Sequence, residues 1–171
     1  MIFLNLKTYP ASLDRAKDFV EIAKSVSSES GVRIPVAVPG IHLKCCGKSY
    51  KDIFAQHADD NKPGASTGSM PAEAIKIAGA RGSLLNHSEK KLTFEKIKST
   101  VDRMNELKLE IVVCAGSQEE VLKIGRMSAG FIAIEPPELI GSGISVSSAK
   151  PEVISDTVNT ISTINGKMQV L

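Results

Sequence analysis

A chain of 171 residues, 42% of them hydrophobic, can bury one sizeable core, so a single domain over residues 1–171 is the expected organisation. The formal charge of +2 comes from interspersed acidic and basic side chains, which excludes a basic face for nucleic acid. Apolar runs of about five residues fall far short of the roughly 20 that a spanning helix needs, and Lys7 interrupts the first strand before a signal-peptide core could form; a cytoplasmic protein with no membrane partner is predicted. Three cysteines cannot all pair, and the adjacent Cys45 and Cys46 are badly placed to bond each other, as suits a reducing compartment.

Short apolar strands alternate with amphipathic helices along the chain. Met1 to Asn5 reads as a strand, and Ser12 as the cap of a helix whose apolar positions Ala16, Phe19, Val20, Ala23 and Val26 recur at helical spacing. Arg33 to Val38 is a second strand, closed by Pro39-Gly40 and followed by an ambiguous segment to Gly47. Ile53 to Gln56 is a third, leading into a polar run from Asp59 to Gly68 whose length marks a functional or interface loop. Pro71 opens a helix ending at Gly79. Gly82 to Asn86 is the fourth strand, and Thr93 to Lys108 a helix with apolar positions at Phe94, Ile97, Val101 and Met104. Leu109 to Cys114, Gln118 to Arg126 and Phe131 to Glu135 give strand, helix and strand. Pro151 starts a helix to about Ile164, and Met168 to Leu171 reads as a seventh strand.

Regular βα alternation of this kind implies a parallel sheet covered by helices, either open or closed into a barrel. A dinucleotide fold is disfavoured, because Gly141-Ser-Gly143 lacks a third glycine, does not follow the first strand, and has no acidic residue about 20 positions later. His42, Cys45, Cys46 and His57 fit the spacing of no common zinc site, and a lone pair of glycines is weak evidence for any cofactor, so neither a metal nor a cofactor is read from them. The segment Phe131-Ile-Ala-Ile-Glu-Pro-Pro is the most informative. A buried strand delivers Glu135 to its carboxyl end, where α/β proteins place their chemistry, and Pro136-Pro137 stop the strand by removing two backbone donors. A glycine-closed loop follows, so Glu135 has the makings of a base beneath a lid.

Four groups of residues, each at the end of a strand, resemble triosephosphate isomerases: Asn5-Leu-Lys7, Phe54-Ala-Gln56 with Thr67-Gly68, Leu85-Asn-His-Ser-Glu-Lys90, and Ala133-Ile-Glu-Pro136 with Gly141-Ser-Gly143. The form is similar to that of archaeal members, with Asn86 where bacterial and eukaryotic members have glycine before the histidine. The resemblance implies a (β/α)8 barrel, here incomplete at the C-terminus, with about six βα units plus part of strand seven. It also implies interconversion of dihydroxyacetone phosphate and glyceraldehyde 3-phosphate by proton transfer through an enediolate.

By the same resemblance, Glu135 is the base and His87 a neutral electrophile met by backbone N–H groups of the following turn, an arrangement for which this family is a standard example. Lys7 supplies positive charge, Asn5 a neutral donor, and Glu89 holds Lys7 in register. Pro136, Pro137, Glu138, Leu139, Ile140, Gly141, Ser142 and Gly143 form the lid, with the Gly141 amide closing onto the substrate phosphate. Thr67 and Gly68 belong to a loop that docks on a neighbouring subunit in a homodimer or homotetramer. Such barrels typically need about 250 residues, so the chain is expected to be part of a longer polypeptide or to be completed by a complementing C-terminal fragment. Two other readings compete: an inactive oligomerising remnant, and another phosphate-binding (β/α)8 isomerase, which would lack the Asn5, Lys7, His87 and Glu135 combination.

Overall fold

The computed structural model describes every residue of the chain except 137, 138, 141, 142, 144 and 145, together with the side chains of 146 and 147. Seven strands are all parallel and lie in the order of the sequence: β1 (Leu4–Asn5), β2 (Val36–Val38), β3 (Ile53–Ala55), β4 (Gly82–Leu85), β5 (Glu110–Ala115), β6 (Phe131–Ile134) and β7 (Gln169–Val170). Among the described residues each pairs with its sequence neighbours, for example Val36 with Ile53 and Val113 with Ile132. The crossovers carry helices α1 (Pro10–Ser30), α2 (Leu43–Ser49), α3 (Ala72–Ile77), α4 (Phe94–Glu106), α5 (Gln118–Ile124), α6 (Val146–Ala149) and α7 (Pro151–Ile164).

Strand alternation sorts the apolar side chains into two layers. Val36, Val38, Ile53, Ile111, Val113 and Ile132 face the helices and form the larger core with α1 to α5 and α7. Ala37, Phe54, Leu84, Val112 and Cys114 face the other way and meet one another, with Phe3, Phe131 and Ala133 packed against them. The sheet is therefore curled around an interior, an incomplete (β/α)8 barrel. The outer sides of β1 and β7 pair with no other strand among the described residues.

Glycine makes two of these contacts possible. A Cβ on Gly82 would lie 2.0 Å from the Glu110 carbonyl oxygen and 2.7 Å from the Phe54 ring, so β4 can approach β5 this closely only without a side chain. On the outside, a Cβ on Gly47 would stand 2.4 Å from the Ala78 carbonyl oxygen, which fixes α2 against the end of α3.

Several boundaries differ from the sequence reading. Helix α1 starts at Pro10, with Tyr9 as its cap, because proline at the first helical position has the right φ and no donor to lose. Ser12 thus lies inside the first turn, where its buried hydroxyl donates to the Leu6 carbonyl at 2.5 Å instead of capping. The ambiguous segment after Pro39 resolves into a 3-10 turn, Gly40–His42, running straight into α2. Helix α6 was not expected. Thr93 does cap α4, its hydroxyl accepting the Lys96 N–H at 3.4 Å.

Candidate active site

The parity of the strands determines which end residues reach the interior. Phe131 and Ala133 of β6 face inward, so Glu135, two further on, faces inward too; Phe3 and Asn5 stand in the same relation on β1. Asn5, Lys7, His87 and Glu135 accordingly line one hollow of ≈ 360 Å³ at the carboxyl ends of the strands, floored by Leu84, Val112 and Ala133. These are the residues the sequence placed together, and they do meet.

Glu135 and His87 are direct neighbours. The Glu135 Oε1 lies 3.4 Å from His87 Nε2, and Oε2 accepts the Ser88 N–H at 3.3 Å. On the other side of the ring, the Glu89 N–H donates to Nδ1 at 3.2 Å, and the Lys90 N–H closes the turn on the His87 carbonyl at 2.8 Å. With Nδ1 occupied as an acceptor, a neutral imidazole carries its proton on Nε2, the nitrogen facing the interior.

Lys7 has a left-handed backbone with φ 51°, an arrangement costly for a lysine, and its surroundings hold it there. Its N–H donates to Asn5 Oδ1 at 3.0 Å and its carbonyl accepts from Gln56 Nε2 at 2.9 Å. The ammonium reaches Glu89 Oε1 at 2.8 Å. That hydrogen bond raises Lys7 above its usual value against an opposing effect of burial, and it holds Glu89 below the usual carboxylate value. Cys114 lies on the inner face beneath Glu135; burial first, then the neighbouring negative charge, push its thiol well up, so it is a protonated packing group.

A second hollow of ≈ 370 Å³ adjoins the first, reached past Lys7 and His87 and bounded by His57, Asp59, Gly68 and Lys90. The polar loop 59–70 borders it. Asp59 staples the loop's ends together, accepting the Met70 N–H at 2.6 Å and contacting His57 Nε2 at 3.0 Å; although burial opposes it, these contacts hold Asp59 below its usual value. Thr67 and Gly68 are exposed on this loop.

Of the lid residues, Pro136 is buried, Leu139 and Ile140 are half-buried with the Leu139 N–H on the Pro136 carbonyl at 3.0 Å, and Gly143 is exposed with φ 74°. Pro137, Glu138, Gly141 and Ser142 lie outside the described residues. Among those described, no three His, Cys, Asp or Glu side chains are disposed to hold a metal ion, and no helix is long and apolar enough to cross a membrane. Two amides quoted only within the motifs, Gln56 and Asn86, had no role assigned from sequence. Each directly follows a buried strand, which was the available signal.

The comparisons with known proteins agree with this geometry. The whole chain, residues 1–171, matches the family described as triosephosphate isomerase. It is 40% identical over 173 residues to the triosephosphate isomerase of Methanocaldococcus jannaschii, covering 100% of this chain and 79% of that protein. Against the Sulfolobus acidocaldarius triosephosphate isomerase the identity is 44% over 165 residues, covering 94% and 71%. The crystal structure of the Bartonella henselae triosephosphate isomerase superposes with a TM-score of 0.76 at 19% identity, over 99% of this chain and 80% of that one, a likeness of fold. Seven parallel strands in order, the shared hollow and the match over the full chain make this chain a member of the triosephosphate isomerase family.

Proposed function

We propose that Glu135, His87 and Lys7 carry out in this chain the reaction of its family, the interconversion of dihydroxyacetone phosphate and glyceraldehyde 3-phosphate. The observation that carries the assignment is the approach of Glu135 Oε1 to within 3.4 Å of His87 Nε2 in a hollow that also contains Lys7. Glu135 takes a proton from the carbon bearing the hydroxyl and returns it to the adjacent carbon. His87, donating from Nε2, and the Lys7 ammonium stabilise the oxyanion that develops on the enediolate, and Asn5 orients Lys7 through its backbone. The reaction asks for no metal or organic cofactor, since the proton moves between adjacent carbons and no electron leaves the substrate.

The loop from Pro136 to Gly143 is the assigned lid, and the Gly141 amide the assigned phosphate donor. Working in the cytoplasm, the chain is proposed to assemble as a homodimer or homotetramer through the loop carrying Thr67 and Gly68. That assembly is supported by the exposed, stapled loop beside the ≈ 370 Å³ hollow. A polypeptide supplying further βα units is a second proposed partner, supported by the outer sides of β1 and β7, which pair with no strand among the described residues.

The test is turnover of glyceraldehyde 3-phosphate in a coupled assay on the purified chain, with and without a polypeptide carrying the remaining βα units. Glu135→Gln is expected to lower kcat by about 10²- to 10⁴-fold, the range for loss of a positioned base. If Glu135→Gln turns over at the parent rate, the base is a different residue.

A further inference from the structure

Residue 87 should not face the barrel interior at all. Along β4, Leu84 belongs to the inner layer and Leu85 to the outer one, so strict alternation puts residue 86 inside and residue 87 outside, among the helices. Yet His87 Nε2 lies within 3.4 Å of Glu135 on the interior side. The break occurs at Asn86, whose φ of 57° puts it in the left-handed region and turns the chain. Asparagine tolerates this conformation better than most residues, but glycine would do so more cheaply.

The Asn86 side chain does what a glycine could not. It is buried, 2% exposed, and both ends of the amide are engaged. Nδ2 donates to the Cys114 carbonyl of β5 at 2.9 Å, and Oδ1 accepts the Leu92 N–H at 2.9 Å. One bond ties the turn to the neighbouring strand; the other closes a loop from residue 86 to residue 92. The backbone donors around the imidazole lie inside that loop: the Glu89 N–H on Nδ1, the Lys90 N–H on the His87 carbonyl, and the Ser88 N–H on Glu135, whose other oxygen approaches Nε2 from the end of β6. The carbonyl that anchors it belongs to Cys114, whose thiol lies beneath Glu135.

We infer that Asn86 is a positioning residue for the isomerisation, a two-ended amide clamp that fixes the His87–Lys90 turn against β5 and thereby sets both the direction and the tautomer of the His87 ring. This rests on the reading of His87 as the electrophile. The clamp acts through the turn and touches no reacting atom. Its effect belongs in kcat, because a misdirected Nε2–H loses its match to the developing oxyanion more than its contact with the bound substrate.

Three variants of the full chain test it. Asn86→Gly keeps the left-handed turn and removes both ends of the clamp, Asn86→Asp keeps the acceptor for Leu92 and removes the donor to Cys114, and Asn86→Ala removes the clamp and strains the turn as well. The expected result for Asn86→Gly is a kcat lowered by about 10-fold and at most about 10²-fold, the scale of an ångström's misplacement, with KM within about 2-fold of the parent. The imidazole ¹⁵N spectrum, which reports the protonated ring nitrogen, is expected to show a mixture of His87 tautomers where the parent shows one, and the Leu92 amide to lose its protection from hydrogen exchange. Asn86→Asp should fall between, and it carries the test should Asn86→Gly fail to fold.

A kcat and a His87 ring spectrum unchanged in Asn86→Gly would overturn the clamp, leaving Asn86 as a residue chosen for its backbone alone. His87→Gln separates the two levels. Parent turnover in that variant removes the electrophile reading, while the ring spectrum of Asn86→Gly still decides whether the clamp sets the tautomer.

Discussion

At the scale of single residues, the Lys7 to Glu89 contact has a defined pH window. Lys7 is raised above 10.5, so its contribution is complete below that value and disappears as pH climbs through the higher folded value. Glu89 is lowered below 4.5, so its contribution is complete above that value and disappears as pH falls through the lower folded one. Between these limits the pair should stabilise by less than about 1 kcal/mol, since Glu89 is half exposed to screening solvent. Thermal melts of the parent and Glu89→Gln should therefore show a small, constant difference from mildly acidic to mildly alkaline pH that closes at both extremes. A difference that grows with acid would assign Glu89 a different partner.

The resemblance singled out Glu135, His87, Lys7 and Asn5, whereas Gln56 and Asn86 had no role read from sequence. Taken alone, Glu135 could be a loop cap, His87 a hydrogen-bonded structural histidine and Lys7 a solvated strand end; only the four motifs together point to chemistry. Gln56 and Asn86 act by hydrogen bonding to carbonyls of Lys7 and Cys114, far away in sequence, and an amide says nothing about which acceptor the fold will bring to it.

At the scale of elements, the apolar strands were readable because a strand buried on both faces is nearly continuous in apolar or small residues. Ends were harder to read. The Ser12 cap failed because a neighbouring proline started the helix earlier, and α6 spans only four residues, too few for periodicity to register. What no local pattern reveals is a close approach between strands. Gly82 sits where a methyl group would meet the Glu110 carbonyl and the Phe54 ring, both on rigid neighbours. Gly82→Ala is thus expected to destabilise by about 2–3 kcal/mol or more, through displaced pairing of β4 and β5, even though alanine favours neither strand nor turn strongly. Urea denaturation would measure it, and a loss under about 0.5 kcal/mol would mean that the two strands part easily.

Beneath the strands, at the end away from the site, charge holds the elements together. Arg33 reaches Asp52 at 2.7 Å and Glu110 at 2.8 Å, and Arg81 contacts the same two carboxylates. These four side chains sit at the amino ends of β2 to β5, and Asp52 is buried. The division of labour is the familiar one for such barrels: chemistry at one end, cohesion at the other.

At the scale of the whole molecule, the outer sides of β1 and β7 pair with no strand among the described residues, and β1 carries exposed Leu4 beside exposed Ile2. Such an edge invites pairing with another chain. Sedimentation of the purified chain should show association that rises with concentration. Leu4→Lys, which places a charge on that edge, should reduce it without lowering helix content by circular dichroism. Unchanged association in this variant would direct attention to the loop carrying Thr67 and Gly68 as the seat of self-assembly.

Because every strand lies beside the one synthesised immediately before it, the order β1 to β7 has a bearing on how the chain acquires its shape. Each new strand closes a single crossover onto its predecessor, and the cost of that closure grows only slowly with the crossover's length. A nascent chain leaving the ribosome can lay each strand and helix onto an already formed edge, growing the molecule from its amino end much as a spiral stair is built, one tread at a time.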